Sequence, residues 1–157
     1  MNWKDGIIDD CCITESKRFY DNRGWLSEIF RTDERPNGHD PAMVYLSETQ
    51  PGVTRGPHAH EDQTDLFAFF DGRFRVFLWD SRPDSKTEGI RQIFEAGRES
   101  PCALTVPPGV VHAYKNIGES PALILNCPDR LYAGKNRGEP VDEIRYEDQP
   151  DSDYTMD

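Results

Sequence analysis

Residues 52–72 read GVTRGPHAHEDQTDLFAFFDG, and residues 107–116 read PPGVVHAYKN. In the first stretch, His58 and His60 are two positions apart in a segment that favours β-structure, so both side chains point to the same face of a strand. Asp65 begins the apolar run that follows. The first stretch therefore predicts that two imidazoles and a carboxylate lie close together.

The rest of the chain has the pattern of an all-β domain, because glycine, proline, asparagine and aspartate interrupt it every eight to twelve residues. The predicted strands are short and rich in β-branched or aromatic residues; they are residues 25–31, 43–48, 56–60, 90–95, 103–106, 111–116 and 122–126. Residues 66–80 predict a hairpin, in which LFAFF and RFRVFLWD flank a turn at Asp71 and Gly72. Small antiparallel domains avoid open edges by closing on themselves, so we expect a double-sheet β-barrel of the jelly-roll type.

Length and termini predict one domain over residues 1–157. The polar residues 1–12 are expected to form an N-terminal arm, and residues 149–157 a flexible tail with little to bury.

The net charge of −11 argues against a nucleic-acid or anionic membrane partner, because no basic stripe is present to bind phosphates. No apolar run approaches the length of a membrane span, and the acidic N-terminus lacks the features of a signal peptide. The four cysteines have no zinc spacing and no evident disulfide pattern, so we expect reduced thiols. These observations predict a cytoplasmic protein.

His112 follows the turn residues of the second quoted stretch and is expected to join His58, His60 and Asp65. This set of residues is compatible with two kinds of chemistry. Neutral imidazoles and a carboxylate bind divalent transition metals such as Fe, Mn, Ni, Cu or Zn. Without a metal, the same groups form an acid/base site, because imidazole titrates near neutral pH and can remove a proton from carbon next to a carbonyl.

The spacing of these residues resembles the two motifs of the cupin superfamily over residues 52–116. The first motif runs Gly52, five residues, His58-x-His60, four residues, Asp65, six residues, Gly72; the second runs Pro107-x-Gly109, two residues, His112, three residues, Asn116. The resemblance implies the cupin double-stranded β-helix, a jelly-roll barrel. It does not specify an activity, because this fold hosts many functions.

A closer resemblance, over residues 19–132, is to the dTDP-4-dehydrorhamnose 3,5-epimerase family. The matching pieces are DNRGWLSE at 21–28, RGPH at 55–58, QTDL at 63–66, DSRPDSKTEG at 80–89 and PPGVVHAY at 107–114. The fourth piece is absent from the general cupin motifs, so it distinguishes this family from other cupins.

This resemblance implies a homodimer that needs no cofactor and moves protons beside the ketone of a dTDP-linked 4-keto-6-deoxy sugar. It assigns His58 as the base and places Arg55 and His112 near the sugar and its diphosphate. It also implies that Arg23 and Glu28 help to hold the nucleotide.

Tyr114, Asn126 and Tyr132 complete the expected substrate-binding residues. This chain has Asp65 where the family has a lysine, and Asn126 where the family has a tyrosine, with Tyr132 nearby in sequence. The stretch RGPHAH at 55–60 is also similar to the 3,4-ketoisomerases that act on related sugars, in which both histidines transfer protons.

Three hypotheses therefore remain open. The first is a metal-independent nucleotide-sugar epimerase or ketoisomerase with His58 as base and His60 or His112 as its partner. The second is a metal-dependent cupin whose divalent transition metal is bound by His58, His60, Asp65 and His112. The third is a non-catalytic cupin that binds a sugar.

Overall fold

A computed structural model describes residues 2–34 and 38–156. Within these ranges the regular structure is almost entirely β-strand, with a short 3-10 helix at Lys135–Arg137 and no α-helix. None of the described helices is long and apolar enough to cross a membrane. The predicted all-β class is therefore confirmed.

Two sheets form the body of the molecule. In the six-stranded sheet, the strands in spatial order are β1 (Lys4–Asp5), β9 (Ile90–Gly97), β8 (Arg73–Asp80), β11 (Val110–Asn116), β6 (Thr54–Ala59) and β13 (Ile144–Arg145). In the five-stranded sheet, the order is β2 (Cys12–Glu15), β10 (Cys102–Val106), β7 (Asp65–Phe69), β12 (Ala122–Asn126) and β5 (Tyr45–Thr49). Strands β3 (Phe19–Asp21) and β4 (Gly24–Leu26) form a separate two-stranded ribbon.

The main core lies between the two large sheets. Its buried members come from both sheets and include Phe67, Phe69, Phe74, Leu104, Tyr114 and Ile124. Each large apolar side chain buried in this way contributes about 1.5 to 3 kcal/mol to folding. The alternating residues of β8 and β11 point to the other face of the six-stranded sheet, where Phe77, Trp79 and Val111 belong to a second cluster.

The predicted hairpin over residues 66–80 is wrong in its pairing. Strand β7 pairs with β10 and β12, whereas β8 pairs with β9 and β11, so the two runs lie in different sheets. The turn between them carries the chain from one sheet to the other. Gly72 has φ +56°, and a Cβ there would lie 2.2 Å from the Cβ of Ala122. The turn at Gly72 was therefore predicted correctly. The two strands beside it are largely buried, and each pairs with strands from other parts of the chain.

The predicted strand at 25–31 is also wrong beyond Leu26. The β3–β4 pairing ends where Phe19 faces Leu26, and the side chain of the preceding Arg18 donates hydrogen bonds to the carbonyls of Phe70 and Arg98. Residues 27–31 thus lose their strand partner. The other predicted strands are present with shifted ends, and β12 has its predicted bounds of Ala122–Asn126.

Both termini make more contacts than an arm and a tail with little to bury would make. At the N-terminus, β1 pairs in parallel with the start of β9, and Ile8 belongs to the main core. At the C-terminus, the ring of Tyr154 lies 5.7 Å from that of Trp79 and 5.5 Å from that of Trp3. Aromatic residues in both segments therefore cover the outer cluster of the six-stranded sheet.

Candidate active site

The structure brings His58, His60 and His112 together between the two large sheets. His58 on β6 faces His112 on β11 directly across the sheet, with ring centroids 4.4 Å apart. The His60 ring is 5.9 Å from that of His58 and 5.8 Å from that of His112. One possible ligand atom from each ring lies within 4.8 Å of the others.

Gly56 allows this close approach. The residue has φ +86°, and a Cβ there would lie 2.5 Å from the carbonyl oxygen of His112 and 3.0 Å from Nδ1 of His58. Any larger residue would therefore push the two histidine-bearing strands apart.

Asp65 lies beneath the histidines and is only 1% exposed. Its Oδ2 is 3.1 Å from Nε2 of His60 and 3.3 Å from Nε2 of His112. Its Oδ1 accepts hydrogen bonds from Gln63 Nε2 (3.0 Å) and Asn126 Nδ2 (2.8 Å). Burial raises the pKa of this carboxyl, but the hydrogen bonds and charges of His112 and His60 outweigh burial and hold the pKa below its ordinary range. Asp65 is therefore a carboxylate at neutral pH.

His60 is the cationic member of the group. Burial lowers the pKa of His60, but the hydrogen bond and charge of Asp65 and the contact with the Asp142 carbonyl outweigh burial and raise it to about 9. Nδ1 of His60 faces the Asp142 carbonyl, while Nε2 faces the Asp65 carboxylate. Each ring nitrogen thus has an acceptor for a proton, as in an imidazolium, and Nε2 also lies 3.2 Å from the Gln63 amide that donates to Asp65.

His58 has the opposite character. Burial, together with the charges of His112 and His60, lowers its pKa to about 2. His58 is therefore neutral and has a lone pair that can accept a proton. The site combines a neutral imidazole with a neighbouring imidazolium–carboxylate pair.

The same groups bear on the metal-binding alternative. A metal binds a ring nitrogen through its lone pair, so an ion held by His60 would have to replace the proton that Nε2 shares with Asp65. The candidate ligand atoms of the three histidines lie within 4.8 Å of one another, and Asp65 Oδ2 lies beside two of the rings, so these four residues could hold a divalent ion once His60 loses its proton. The cationic His60 and its bond to Asp65 favour the metal-independent alternative.

Two of the three histidines open onto a cleft of about 1260 Å³, large enough for a nucleotide sugar, whereas His112 lies behind them and does not line it. His58 and His60 line it, together with the expected binding residues Arg55, Tyr114 and Tyr132. Arg55 is held in place, since Nη2 donates to the carbonyl of Glu48 (2.7 Å) and Nε to Oγ1 of Thr49 (3.1 Å). The structure thus places these three predicted residues around one opening.

Asn126, Arg23 and Glu28 are placed differently from the expectation. Asn126 is 1% exposed, and its amide lies behind the cleft wall, bonded to Asp65 and Tyr45. The Arg23 side chain is 85% exposed on the β3–β4 ribbon and pairs with Asp21, and Glu28 pairs with Arg31. Within one chain, neither Arg23 nor Glu28 lines the cleft: Arg23 lies in the ribbon, which is separate from the two sheets, and Glu28 lies in the segment that follows it.

Asp142 and Tyr45 belong to the site but were not predicted. The carboxylate of Asp142 accepts hydrogen bonds from three successive backbone N–H groups at Glu61, Asp62 and Gln63, which holds the loop after His60. Tyr45 lines the cleft and faces Asn126 in the pairing of β5 with β12. No motif marks either residue; each reaches the site through the pairing of distant segments.

The stretch DSRPDSKTEG at 80–89 closes a turn and does not line the cleft. Asp80 is 0% exposed and accepts hydrogen bonds from Arg82 Nε (2.9 Å), Ser85 Oγ (2.7 Å) and Thr87 Oγ1 (2.7 Å). Burial raises the pKa of Asp80, but these donors outweigh burial and lower it. The stretch that distinguishes the family in sequence is therefore structural.

Comparison with known proteins identifies the family of the chain. Residues 6–149 match the family described as dTDP-4-dehydrorhamnose 3,5-epimerase. The chain belongs to this family. The match includes every strand of the two large sheets except β1 and all of the histidine site, so the predicted family is confirmed, and with it a nucleotide-sugar epimerase, an enzyme of the isomerase class.

Two relatives and one solved structure are similar over most of their length. The chain is 39% identical over 126 residues to the "Probable low-salt glycan biosynthesis epimerase Agl13" of Haloferax volcanii, covering 80% of this chain and 81% of the relative. It is 36% identical over 119 residues to the "Spore coat polysaccharide biosynthesis protein SpsL" of Bacillus subtilis, covering 76% and 78%. A dTDP sugar isomerase from Desulfovibrio desulfuricans G20 matches with a TM-score of 0.81 and 26% identity over 94% of this chain and 91% of that chain. The predicted cupin-type jelly roll is thereby confirmed.

Proposed function

We propose that this epimerase-family chain inverts a carbon next to the keto group of a dTDP-4-keto-6-deoxyhexose, with His58 as the base. The observation that carries the proposal is the neutral His58 at the cleft wall beside the cationic His60 and its partner Asp65. A base must be neutral to accept a proton, and the enolate that forms needs positive charge close by.

The proton moves from the sugar to His58. Nitrogen of His58 accepts the proton from the carbon beside the ketone, and the electron pair of the C–H bond becomes an enolate. The His60 imidazolium then stabilises the enolate by its charge, since both of its N–H groups already bind Asp142 and Asp65. His60, kept protonated by Asp65, would thus supply the positive charge for which the resembled family has a lysine.

Arg55 supports binding of the diphosphate. Two of its N–H groups are used by Glu48 and Thr49, and a guanidinium has five, so donors remain for an anionic ligand. Tyr132 lies at the same opening, where an exposed ring can contact the nucleotide or the sugar.

We also propose a homodimer. The β3–β4 ribbon exposes Phe19, Tyr20, Trp25 and Leu26, an apolar surface that a second copy of the chain would bury. Docking of this ribbon against a neighbouring chain would bring Arg23 to a cleft that it does not reach in its own chain. Sedimentation should give twice the chain mass of 18.0 kDa; a monomer at micromolar concentration would contradict this proposal.

We propose that the reaction needs no metal or cofactor and takes place in the cytoplasm. All four cysteines are free thiols, which fits a reducing compartment. Treatment with a chelator should leave the rate of epimerisation unchanged.

The base is tested by exchange in heavy water. Wild-type protein incubated with dTDP-4-keto-6-deoxyglucose should incorporate deuterium at carbon 3, carbon 5 or both, and His58→Asn should lower incorporation by about 1000-fold. His39→Gln is the matched control, because His39 is a buried histidine that bonds the Cys127 carbonyl and does not line the cleft.

Three outcomes would contradict parts of this proposal. Exchange at the wild-type rate in His58→Asn would remove His58 as the base. A product whose ketone has moved to carbon 3 would assign the chain to the ketoisomerase alternative. An absence of any exchange in the wild-type protein would leave the non-catalytic sugar-binding alternative.

A further inference from the structure

Inversion of a carbon centre requires two groups on opposite sides of the substrate. One group removes a proton from one face of the carbon, and a second group delivers a proton to the other face. His58 lies on β6 in the six-stranded sheet, so the second group should come from the five-stranded sheet across the cleft.

Tyr45 is placed for this role. It begins β5 at the edge of the five-stranded sheet, and it lines the same cleft as His58. Its Oη accepts a hydrogen bond of 2.9 Å from Nδ2 of Asn126. The phenol and the imidazole therefore belong to the two facing walls of one cavity.

The hydrogen bonds also determine where the phenol proton can go. Asp65 is a carboxylate with no hydrogen to offer, so the atom of Asn126 that faces it must be the NH₂ group. That same NH₂ group donates to Tyr45, which makes the phenol oxygen an acceptor toward Asn126. The O–H of Tyr45 is thus directed away from Asn126 and can donate to a group in the cleft.

Two other tyrosines line the cleft but are less well placed. Tyr114 lies on β11, in the same sheet as His58, and is 5% exposed. Tyr132, which the sequence suggested as a substitute acid, is 52% exposed in the segment after β12 and belongs to neither sheet. Of these three tyrosines, Tyr45 alone lies on the sheet that faces His58 and also accepts a hydrogen bond that orients its hydroxyl.

We propose that Tyr45 is the acid that delivers the proton to the sugar from the face opposite His58. This inference rests on the proposed epimerase function. His58 takes the proton from one face of the carbon to give the enolate, and Tyr45 gives its O–H proton to the other face to give the inverted centre. The resulting phenolate and imidazolium return to their starting forms when the proton passes from His58 to Tyr45 through water, so protons balance over each turnover.

Burial, more than the nearby charges, keeps the phenol of Tyr45 protonated before the reaction. Burial raises its pKa, and the hydrogen bond from Asn126 lowers it by less. The other charged groups that act on the phenol are Asp65 and Glu143, which oppose ionisation, and Arg55, which favours it.

The test separates exchange from inversion in the variant Tyr45→Phe. In heavy water, His58 can still remove the proton and return deuterium to the same face, so exchange should continue within a few-fold of the wild-type rate. Inversion at the same carbon should fall by about 100-fold or more, because the opposite face has lost its acid. Tyr154→Phe is the matched control, since it removes a phenol that donates to Ser81 away from the cleft.

Two results would overturn the role of Tyr45: inversion at the wild-type rate in Tyr45→Phe, or a parallel loss of exchange and inversion. An absence of exchange in the wild-type protein would instead be a failure of the epimerase function itself.

A second measurement does not depend on removing the hydroxyl. Replacement of Tyr45 by 3-fluorotyrosine lowers the phenol pKa, so the alkaline limb of the inversion rate should move to lower pH; an unmoved limb would also overturn the proposal.

Discussion

Asp65 and Asp80 are both buried carboxylates at the end of a strand, but their partners differ. Asp80 is held by the guanidinium of Arg82 and by two hydroxyls. Asp65 is held by two imidazoles and two amides. The cation beside Asp80 is permanent, whereas the charge beside Asp65 depends on a proton. Asp80 therefore stabilises the structure, whereas Asp65 can take part in the chemistry because its partner His60 can gain and lose a proton.

The largest expected effect is loss of stability in Asp80→Ala. This change leaves the partly buried Arg82 with Asp10 as its remaining carboxylate and removes the acceptor of two hydroxyls in a buried position, so we expect the free energy of unfolding to fall by about 3 kcal/mol. Denaturant unfolding measures the loss. The epimerisation rate per folded molecule should remain within a few-fold of wild type, and a large loss of rate would contradict the structural role of Asp80.

The next effect is loss of activity in Asp65→Asn. The new amide can still accept from Gln63 and Asn126, but it carries no charge, so His60 should lose its proton at neutral pH. Without this cation beside the enolate, we expect the epimerisation rate per folded molecule to fall by about 100-fold. Steady-state kinetics on the folded fraction measures the change, and an unchanged rate would show that the His60 charge is not used.

The smallest expected effect is a change of stability with pH that requires Asp65 and does not require Asp80. The folded pKa of His60 is about 9, above the ordinary 6.5, so its contribution to stability is complete below pH 6.5 and is lost as the pH rises through 9. We expect the free energy of unfolding to fall by about 2 kcal/mol over this interval. Unfolding curves at several pH values should show this decrease in wild type and in Asp80→Asn, and show none in Asp65→Asn.

Local patterns predicted much of the fold and of the histidine site. Strand β12 was predicted with the bounds it has, because proline and polar residues mark both of its ends. His58, His60 and His112 meet because strand alternation and motif order are local properties of the chain. The family resemblance also supplied Asp65 as the unusual residue of the site.

Contacts between distant segments were not predicted. The aromatic runs before and after Gly72 looked like a hairpin, since nothing local shows that β7 and β8 belong to different sheets. Tyr45 reaches Asn126 across 81 positions, and Asp142 reaches the loop after His60 across about as many. Such contacts depend on how sheets assemble, so they required the structure.

The position of Asp142 in the chain has a consequence for how the enzyme becomes active during synthesis. Its carboxylate holds the loop after His60, its carbonyl meets the His60 ring, and β13 beside it is the last strand of the chain. The ribosome therefore releases all three histidines, Asp65 and every strand through β12 before it releases the residue that orders this loop. We therefore expect the loop after His60 to reach its final geometry late in synthesis.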